Sequence, residues 1–318
     1  MTVCRQSVGV IDIGSNSIKL LVAARGEGAK LVPILQATEE TRIGGGISKK
    51  VPRLSDASME AVCHSVRRLK AEAESSGAGL IAVAATSAVR DAVNRDRFVE
   101  HLKEATGTEL GILTGREEAE LIGLGIGCDP DLGWLTDFFV FDLGGGSLEA
   151  IKFRGKEIEE VVSLPLGCVR LTERFIKKIE GPFGIGDRMR LEAHVREVMA
   201  SSRFTFDLPA EAEVVVTGGT AAVVRLIRET AAPASPSAVL SLKYLEDLLS
   251  TLGAIPLPER RKFPGLPPER ADVFPTALAT LLTVLELGRF DHCRQSEYNL
   301  RFGLAARLLA AQGRPSVE

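Results

Sequence analysis

Two stretches of this 318-residue sequence pair a carboxylate with a Gly/Ser turn at the same spacing: VIDIGSNSIKLLVA from Val10 and VFDLGGGSLEAIKF from Val140. Aligned without a gap, Asp12 falls on Asp142, Gly14 on Gly144 and Ser17 on Ser147. In each, an apolar run ends in aspartate where a buried strand would carry another Val. Glycine lets backbone N–H groups approach an anion closely. Successive N–H groups in such a turn form an anion-binding nest, and Ser15, Asn16, Ser17 and Ser147 add side-chain donors. An aspartate does not bind phosphate directly, because both are anionic. Beside a phosphate cradle it holds a water or a divalent cation, and Mg²⁺ is typically held by one or two carboxylates plus phosphate oxygens. One such turn could equally be a plain tight hairpin. Two in register, plus a third glycine turn, point to phosphoryl chemistry on a nucleotide or an anionic chain. The third turn lies in VVVTGGTAAVV (214–224), where a strand runs through Gly218, Gly219 and Thr220 into a helix. Helix N-termini bind anions through free N–H groups and the macrodipole; the competing account is a Gly-assisted strand–helix corner.

Strands must lead into each turn. VGVIDIG (8–14), KLLVAA (19–24) and KLVPILQA (30–37) read as a meander whose first turn is GSNS. The following SDASMEAVCHSVRRLKAEAESSG sets Met59, Val62, Val66 and Leu69 at helical spacing between a Ser N-cap and Gly77. Next come a strand at 80–86, a helix RDRFVEHLKEATG, a strand LGILT and a helix GREEAELIGLGIG. The breakers of GCDPDLG fall near 125–135, and there the plan restarts. Strands at 138–143, 148–153 and 159–164 precede helices to about 204, a strand at 213–219 and a helix behind it. AAPASPSA and IPLPERRKFPGLPPER read as loops, and two apolar helices close the chain. The expectation is two α/β lobes of similar plan facing each other across a cleft.

Composition narrows the classes. With 45% hydrophobic and 25% charged residues the chain is an ordinary globular one, and its length suits two domains of about 150 residues. A formal net charge of −3 excludes a simple polycation that coats nucleic acid. The N-terminus lacks the succession of a signal peptide, and no apolar run approaches the ~20 residues that span a bilayer. Cys4, Cys63, Cys128, Cys168 and Cys293 show no Cys-x-x-Cys, and His64, His101, His194 and His292 share no metal-ligand spacing. A reduced, cytoplasmic protein with packing or surface Cys and His is expected.

The set VIDIGSNSIKLLVA, ATSAVRDA, GREEAELI, FDLGGGSLE, SLPLGCVRLTE and VTGGTAA, in that order, resembles the exopolyphosphatase / guanosine pentaphosphate phosphohydrolase family. That family belongs to the superfamily of actin, sugar kinases and Hsp70 ATPase domains. The resemblance spans residues 8–305 and implies two ribonuclease H-like (actin-like ATPase) lobes, each with a mixed five-stranded sheet. The expected division is residues 1–128 and 129–302, with a C-terminal helix about 303–318 packing back on the first lobe, as in the short, two-domain branch. The resemblance makes a glutamate of GREEA the general base: Glu118, with Glu117 as the fallback. A carboxylate there alone could simply offset a helix dipole. Asp142 and Glu149 resemble the residues that position Mg²⁺ and the attacking water, with Asp12 as their counterpart in the first lobe. Gly144, Gly145, Gly146 and Ser147 resemble the phosphate loop, with Ser15, Asn16 and Ser17 as its partner. Arg90 resembles an arginine that clamps a terminal phosphate, for which its planar fork is suited. Arg42, in TRIGGGI, matches a basic position after the third strand. Both arginines could instead be solvated charges.

Two departures stand out. ERADVFPTALA lacks the small Gly pair that usually follows ERAD, and SEYNLRFG replaces SEYGLREG. Asn299 is expected to preserve the turn by taking left-handed φ as Gly does; Phe302 for Glu removes a polar contact. The implied activity is Mg²⁺-dependent hydrolysis of a phosphoanhydride in inorganic polyphosphate, short chains favoured, or in guanosine pentaphosphate. No nucleic acid or membrane partner is expected, and the expectation admits a homodimer. The rivals are a kinase of the same superfamily, which should not need GREEA, and a non-catalytic sensor of alarmone nucleotides.

Overall fold

The computed structural model describes residues 7–27, 30–232 and 238–312. In chain order the elements are β1 (Ser7–Ile13), β2 (Ser17–Arg25), β3 (Leu31–Glu40), α1 (Asp56–Ser75), β4 (Leu80–Ala85), α2 (Ser87–Arg90), α3 (Arg95–Thr106), β5 (Leu110–Ile112) and α4 (Gly115–Ile126). They continue with β6 (Phe138–Leu143), β7 (Leu148–Arg154), β8 (Glu157–Leu164), α5 (Cys168–Phe175), α6 (Ile185–Ser202), β9 (Glu213–Thr217), α7 (Gly218–Ala231) and β10 (Val239–Ser241). The rest are α8 (Leu242–Ala254), α9 (Leu257–Arg260), α10 (Phe274–Leu287), β11 (His292–Gln295) and α11 (Leu300–Gln312). Two compact units result. The first takes the chain up to Trp134 and again from Tyr298; the second is Leu135–Glu297.

The first unit is built on a sheet in the order β3-β2-β1-β4-β5. β2 is antiparallel to β1 and β3, whereas β4 runs parallel to β1 and β5 parallel to β4. β1 is central, so Val8, Val10, Ile11 and Ile13 are all buried and read as one continuous apolar run. Ser55 caps α1 by accepting from the Ser58 N–H at 3.1 Å, and Met59, Val62, Val66 and Leu69 form its buried face. α11 returns from the end of the chain to lie against α4. A Cβ at Gly303 would collide with the Leu121 carbonyl, and one at Gly125 with the Asn299 carbonyl. Backbone therefore meets backbone at this crossing, and only glycine fits.

The second unit repeats the plan with one more strand, in the order β10-β11-β9-β6-β7-β8. β6 holds the place of β1: β7 is antiparallel to it and β9 parallel. The expected five strands become six because β10 pairs antiparallel with β11 over Val239–Ser241. β6 is buried along its whole length, and the rings of Phe139, Phe141, Phe204 and Phe206 pack at its core. Among the described residues no helix is long and apolar enough to cross a membrane. Cys4 and most of the Pro/Ser-rich AAPASPSA stretch lie outside the described residues.

Candidate active site

In the first unit, β1 ends at Asp12–Ile13, and the Gly14 N–H donates to the Ser17 carbonyl at 3.0 Å to close the GSNS turn. Asp12 lies opposite Lys19 on β2 and beside Ala84 on β4. Its Oδ1 is buried without a hydrogen-bond partner. Burial raises the Asp12 carboxyl above the ordinary aspartate range, while the nearby positive charges of Lys19 and Arg301 oppose the rise. The TRIGGG segment is bonded onto the turn. The Thr41 and Arg42 N–H groups donate to the Asn16 carbonyl at 3.2 and 2.8 Å, and the Gly44 N–H donates to the Ser15 carbonyl at 2.8 Å. These trans peptides therefore aim the Asn16 and Ser17 N–H groups away from that segment. Arg42 sits in the left-handed region at φ 45°. The Ser15 hydroxyl meets the Ser87 hydroxyl at 3.1 Å, and Asn16 Nδ2 donates to Glu40 at 2.5 Å. Those side chains, expected as phosphate donors, here tie the turn to β3 and α2.

After β4 the Thr86 N–H donates to the Ile13 carbonyl at 3.3 Å, which brings α2 and Arg90 to the end of β1. Arg90 Nη1 donates to Glu118 Oε2 at 2.8 Å and to the Leu113 carbonyl at 2.9 Å. Glu118 is only 6% exposed, although it stands in the first turn of α4. Its neighbour Glu117 has a different task. Thr114 Oγ1 accepts from the Glu117 N–H at 3.2 Å, and the Glu117 carboxylate accepts from the Thr114 N–H at 2.8 Å, a reciprocal capping box. The bond from the Thr114 backbone N–H holds the Glu117 carboxyl below its usual range.

In the second unit, β6 ends at Asp142–Leu143, and the Gly144 N–H donates to the Ser147 carbonyl at 3.1 Å, the same closure as in the first turn. Asp142 lies opposite Glu149 on β7 and beside Thr217 on β9. Both carboxylates are buried, and Glu149 accepts from the Ser163 hydroxyl at 2.7 Å. The GGGS turn rests on the start of α5. The Cys168 N–H donates to the Gly144 carbonyl at 3.0 Å, the Val169 N–H to Gly145 at 2.8 Å, and Arg170 Nε to Gly146 at 2.9 Å. With three carbonyls turned to α5, the trans peptides aim the N–H groups of Gly145, Gly146 and Ser147 to the other side. At the head of α7, Gly218 has φ 84°, and a Cβ there would collide with the Asp142 carboxylate. Asp142 thus lies at the positive end of that helix. The Thr220 hydroxyl, expected to meet phosphate, donates to the Leu143 carbonyl at 3.0 Å and fastens α7 to β6.

Several residues enter that sequence reasoning did not single out: Lys19 and Arg301 near Asp12, and Arg270, whose guanidinium packs on Gly219. Arg270 lies in ERAD and Arg301 in SEYNLR, so both stood inside family-like motifs. Two expectations about that last motif change. Asn299 is not among the residues with positive φ; instead its Oδ1 accepts from the Arg301 N–H at 3.1 Å at the start of α11. Phe302 is a core residue, 1% exposed, with its ring 4.2 Å from that of Tyr298. Cys63, Cys168 and Cys293 are buried, and burial pushes the Cys293 thiol up to about 12. Among the described residues no three His, Cys, Asp or Glu side chains gather as a metal cage.

Two α/β units of like plan, each with a glycine turn that follows an aspartate at the end of its central strand, make up an actin-like fold. The chain belongs to the Ppx/GppA phosphatase family, whose model matches residues 21–312. It is 28% identical over 308 residues to the guanosine-5'-triphosphate,3'-diphosphate pyrophosphatase of Aeromonas salmonicida (strain A449), an alignment covering 94% of this chain and 58% of that protein. The chain therefore spans little more than half the length of that relative. Among solved structures, the Aquifex aeolicus PPX-GPPA enzyme is 27% identical, with a TM-score of 0.76 over 95% of this chain and 99% of the other. An exopolyphosphatase from Cytophaga hutchinsonii has a TM-score of 0.87 at 23% identity over 96% and 98% of the two chains, a likeness of fold.

Proposed function

We propose that the chain is a Mg²⁺-dependent phosphoanhydride hydrolase, working in the cytoplasm, that releases terminal phosphate from inorganic polyphosphate or guanosine pentaphosphate. The observation that carries this is the pairing of Glu118 with Arg90 at 2.8 Å, a buried carboxylate beside a guanidinium. Arg90 holds the oxygens of the terminal phosphoryl group, which draw the guanidinium off Glu118. Glu118 then accepts the proton of the attacking water as the new P–O bond forms and the anhydride P–O bond breaks. Glu117 is set aside as base because its carboxylate closes the capping box of α4. The backbone N–H groups of Gly145, Gly146 and Ser147, with Gly218 and Gly219 at the head of α7, serve the anionic oxygens, as do the first turn at Ser15–Ser17 and Arg42. Positioning and charge stabilisation carry most of the catalysis in such reactions.

The donor set suits a hard cation, since Asp142 and Glu149 are paired buried carboxylates on adjacent strands. Asp142 and Glu149 would hold Mg²⁺, and the unpartnered Oδ1 of Asp12 is a third candidate. When bound, the cation neutralises charge on the phosphate oxygens.

The deciding experiment measures phosphate release from defined-length polyphosphates and from guanosine pentaphosphate in ¹⁸O-labelled water, with and without Mg²⁺ and with excess ADP. One heavy oxygen per released phosphate is expected. ATP as the main product would place the chain with the kinases instead. Glu118→Gln should lower kcat by about 10²–10⁴-fold, while Glu117→Gln keeps a near-normal rate. The reverse pattern would move the base to Glu117.

A further inference from the structure

The segment Arg42–Arg53, RIGGGISKKVPR, carries Arg42, Lys49, Lys50 and Arg53 and no acidic residue, in a chain whose net charge is −3. It is a fixed surface rather than a loose loop. Ile43, Ile47 and Leu54 are buried beneath it. Its start is bonded to the GSNS turn through Arg42 and Gly44. Its far end is clamped to the residues that follow Arg90. The Val93 N–H donates to the Pro52 carbonyl at 3.0 Å, and the Asn94 amide both donates to and accepts from the Leu54 backbone at 3.0 Å. The segment therefore runs from one phosphate element proposed above to another.

Its outer cations are exposed, and Lys49, Lys50 and Arg53 have no side-chain hydrogen bond or carboxylate partner among the described residues. Neighbouring acids are engaged elsewhere: Glu39 with Arg68 at 2.6 Å, Glu40 with Asn16, and Asp56 with Arg97 at 3.0 Å. Like charges held close together without counter-charges repel one another unless an anion lies among them. Arg42 holds a left-handed backbone at φ 45°, uncommon for a non-glycine residue.

We infer that Arg42–Arg53 is a second anion-binding surface, which holds phosphates of an inorganic polyphosphate chain remote from the one being cleaved. The inference rests on the hydrolase function proposed above and makes an extended polyphosphate, rather than guanosine pentaphosphate alone, the fitting substrate. It departs from the expectation of short chains. A single-stranded nucleic acid is the less suited polyanion, because the segment offers no aromatic ring on which a base could stack.

The test is the triple variant Lys49→Gln/Lys50→Gln/Arg53→Gln, at exposed positions whose change leaves the core intact. With long-chain polyphosphate its KM should rise about tenfold and depend less steeply on salt. With tripolyphosphate, KM and kcat should match the wild type. A KM that shifts equally for both chain lengths, or for neither, overturns the inference. Binding of long-chain polyphosphate, measured by titration calorimetry, separates this outcome from failure of the hydrolase assignment. If the wild type releases no phosphate, loss of binding in the variant still supports the surface, and equal binding rejects it. Single-stranded RNA that binds the wild type as tightly as polyphosphate and is lost in the variant would make the surface a nucleic-acid site and overturn the inference.

Discussion

The two hairpin turns share a frame and differ in charge. In both, an aspartate ends the central strand, a glycine N–H closes onto the serine carbonyl three residues on, and a neighbouring segment captures the turn's carbonyls. Across the ladder, however, Asp12 faces Lys19 whereas Asp142 faces Glu149. The first pair is neutralised within its unit, with Arg301 adding a second positive charge nearby. The second is doubly acidic, which is what a divalent cation requires of its ligands. The two turns thus keep the same backbone closure and differ in the side chains across the ladder. In the reading proposed above, the second turn supplies the metal ligands and the first unit adds the Arg90–Glu118 pair.

The strongest way to break this comparison is through the metal. Asp142→Asn and Glu149→Gln should each lower the rate by about 10²-fold or more and raise the Mg²⁺ concentration giving half-maximal rate. Asp12→Asn should shift that concentration less than either. A metal titration of the three variants decides it: if Asp12→Asn shifts the requirement as far as the others do, the turns are not divided in this way.

A smaller effect concerns stability. Burial holds the Asp12 pKa above its unfolded value. The wild type therefore loses stability as pH rises through the folded-state pKa, and the loss is absent below the ordinary aspartate value. Asp12→Asn removes the titration, so its denaturation midpoint should exceed that of the wild type near neutrality, and the gap should close as pH falls. Midpoints measured between about pH 4 and pH 8 test this. A gap independent of pH would mean that Lys19 and Arg301 already balance the ionised carboxylate. The smallest effect separates the two glutamates of α4. Thr114→Ala should cost about 1 kcal/mol through the lost cap and leave kcat near the wild-type value. A large fall in kcat would tie the capping box to the chemistry.

β1 and β6 were legible in the sequence because central strands are apolar on both faces, and their terminal aspartates stood out against that background. β10 and β11 were not, since three or four residues carry no measurable period. Adjacent residues on a helix point about 100° apart, so GREEA alone did not say which glutamate turns inward. A local signal was present all the same. Thr114-Gly-Arg-Glu117 has the spacing of a capping box, and reading it would have given Glu117 to the helix end. The closeness of Arg301 to Asp12 had no such local signal, because 289 positions of chain separate them. The left-handed φ expected of Asn299 failed because its side chain bonds the Arg301 N–H and begins α11 instead.

The Gly125–Gly303 crossing has a consequence for the order in which the protein is made. The ribosome completes all of Leu135–Glu297, an uninterrupted run, before it adds the helix that closes the first unit. Until Gly303 emerges with the rest of α11, the α4 backbone at Leu121 and Gly125 lacks the helix it packs against. The second unit should therefore become protease-resistant first, although it is synthesised later, the reverse of the usual N-terminal-first order. Ribosome-bound chains arrested so that Glu297 has cleared the exit tunnel should yield a stable fragment of the second unit alone. Equal resistance of both units at that stage would show that the first matures without its last helix.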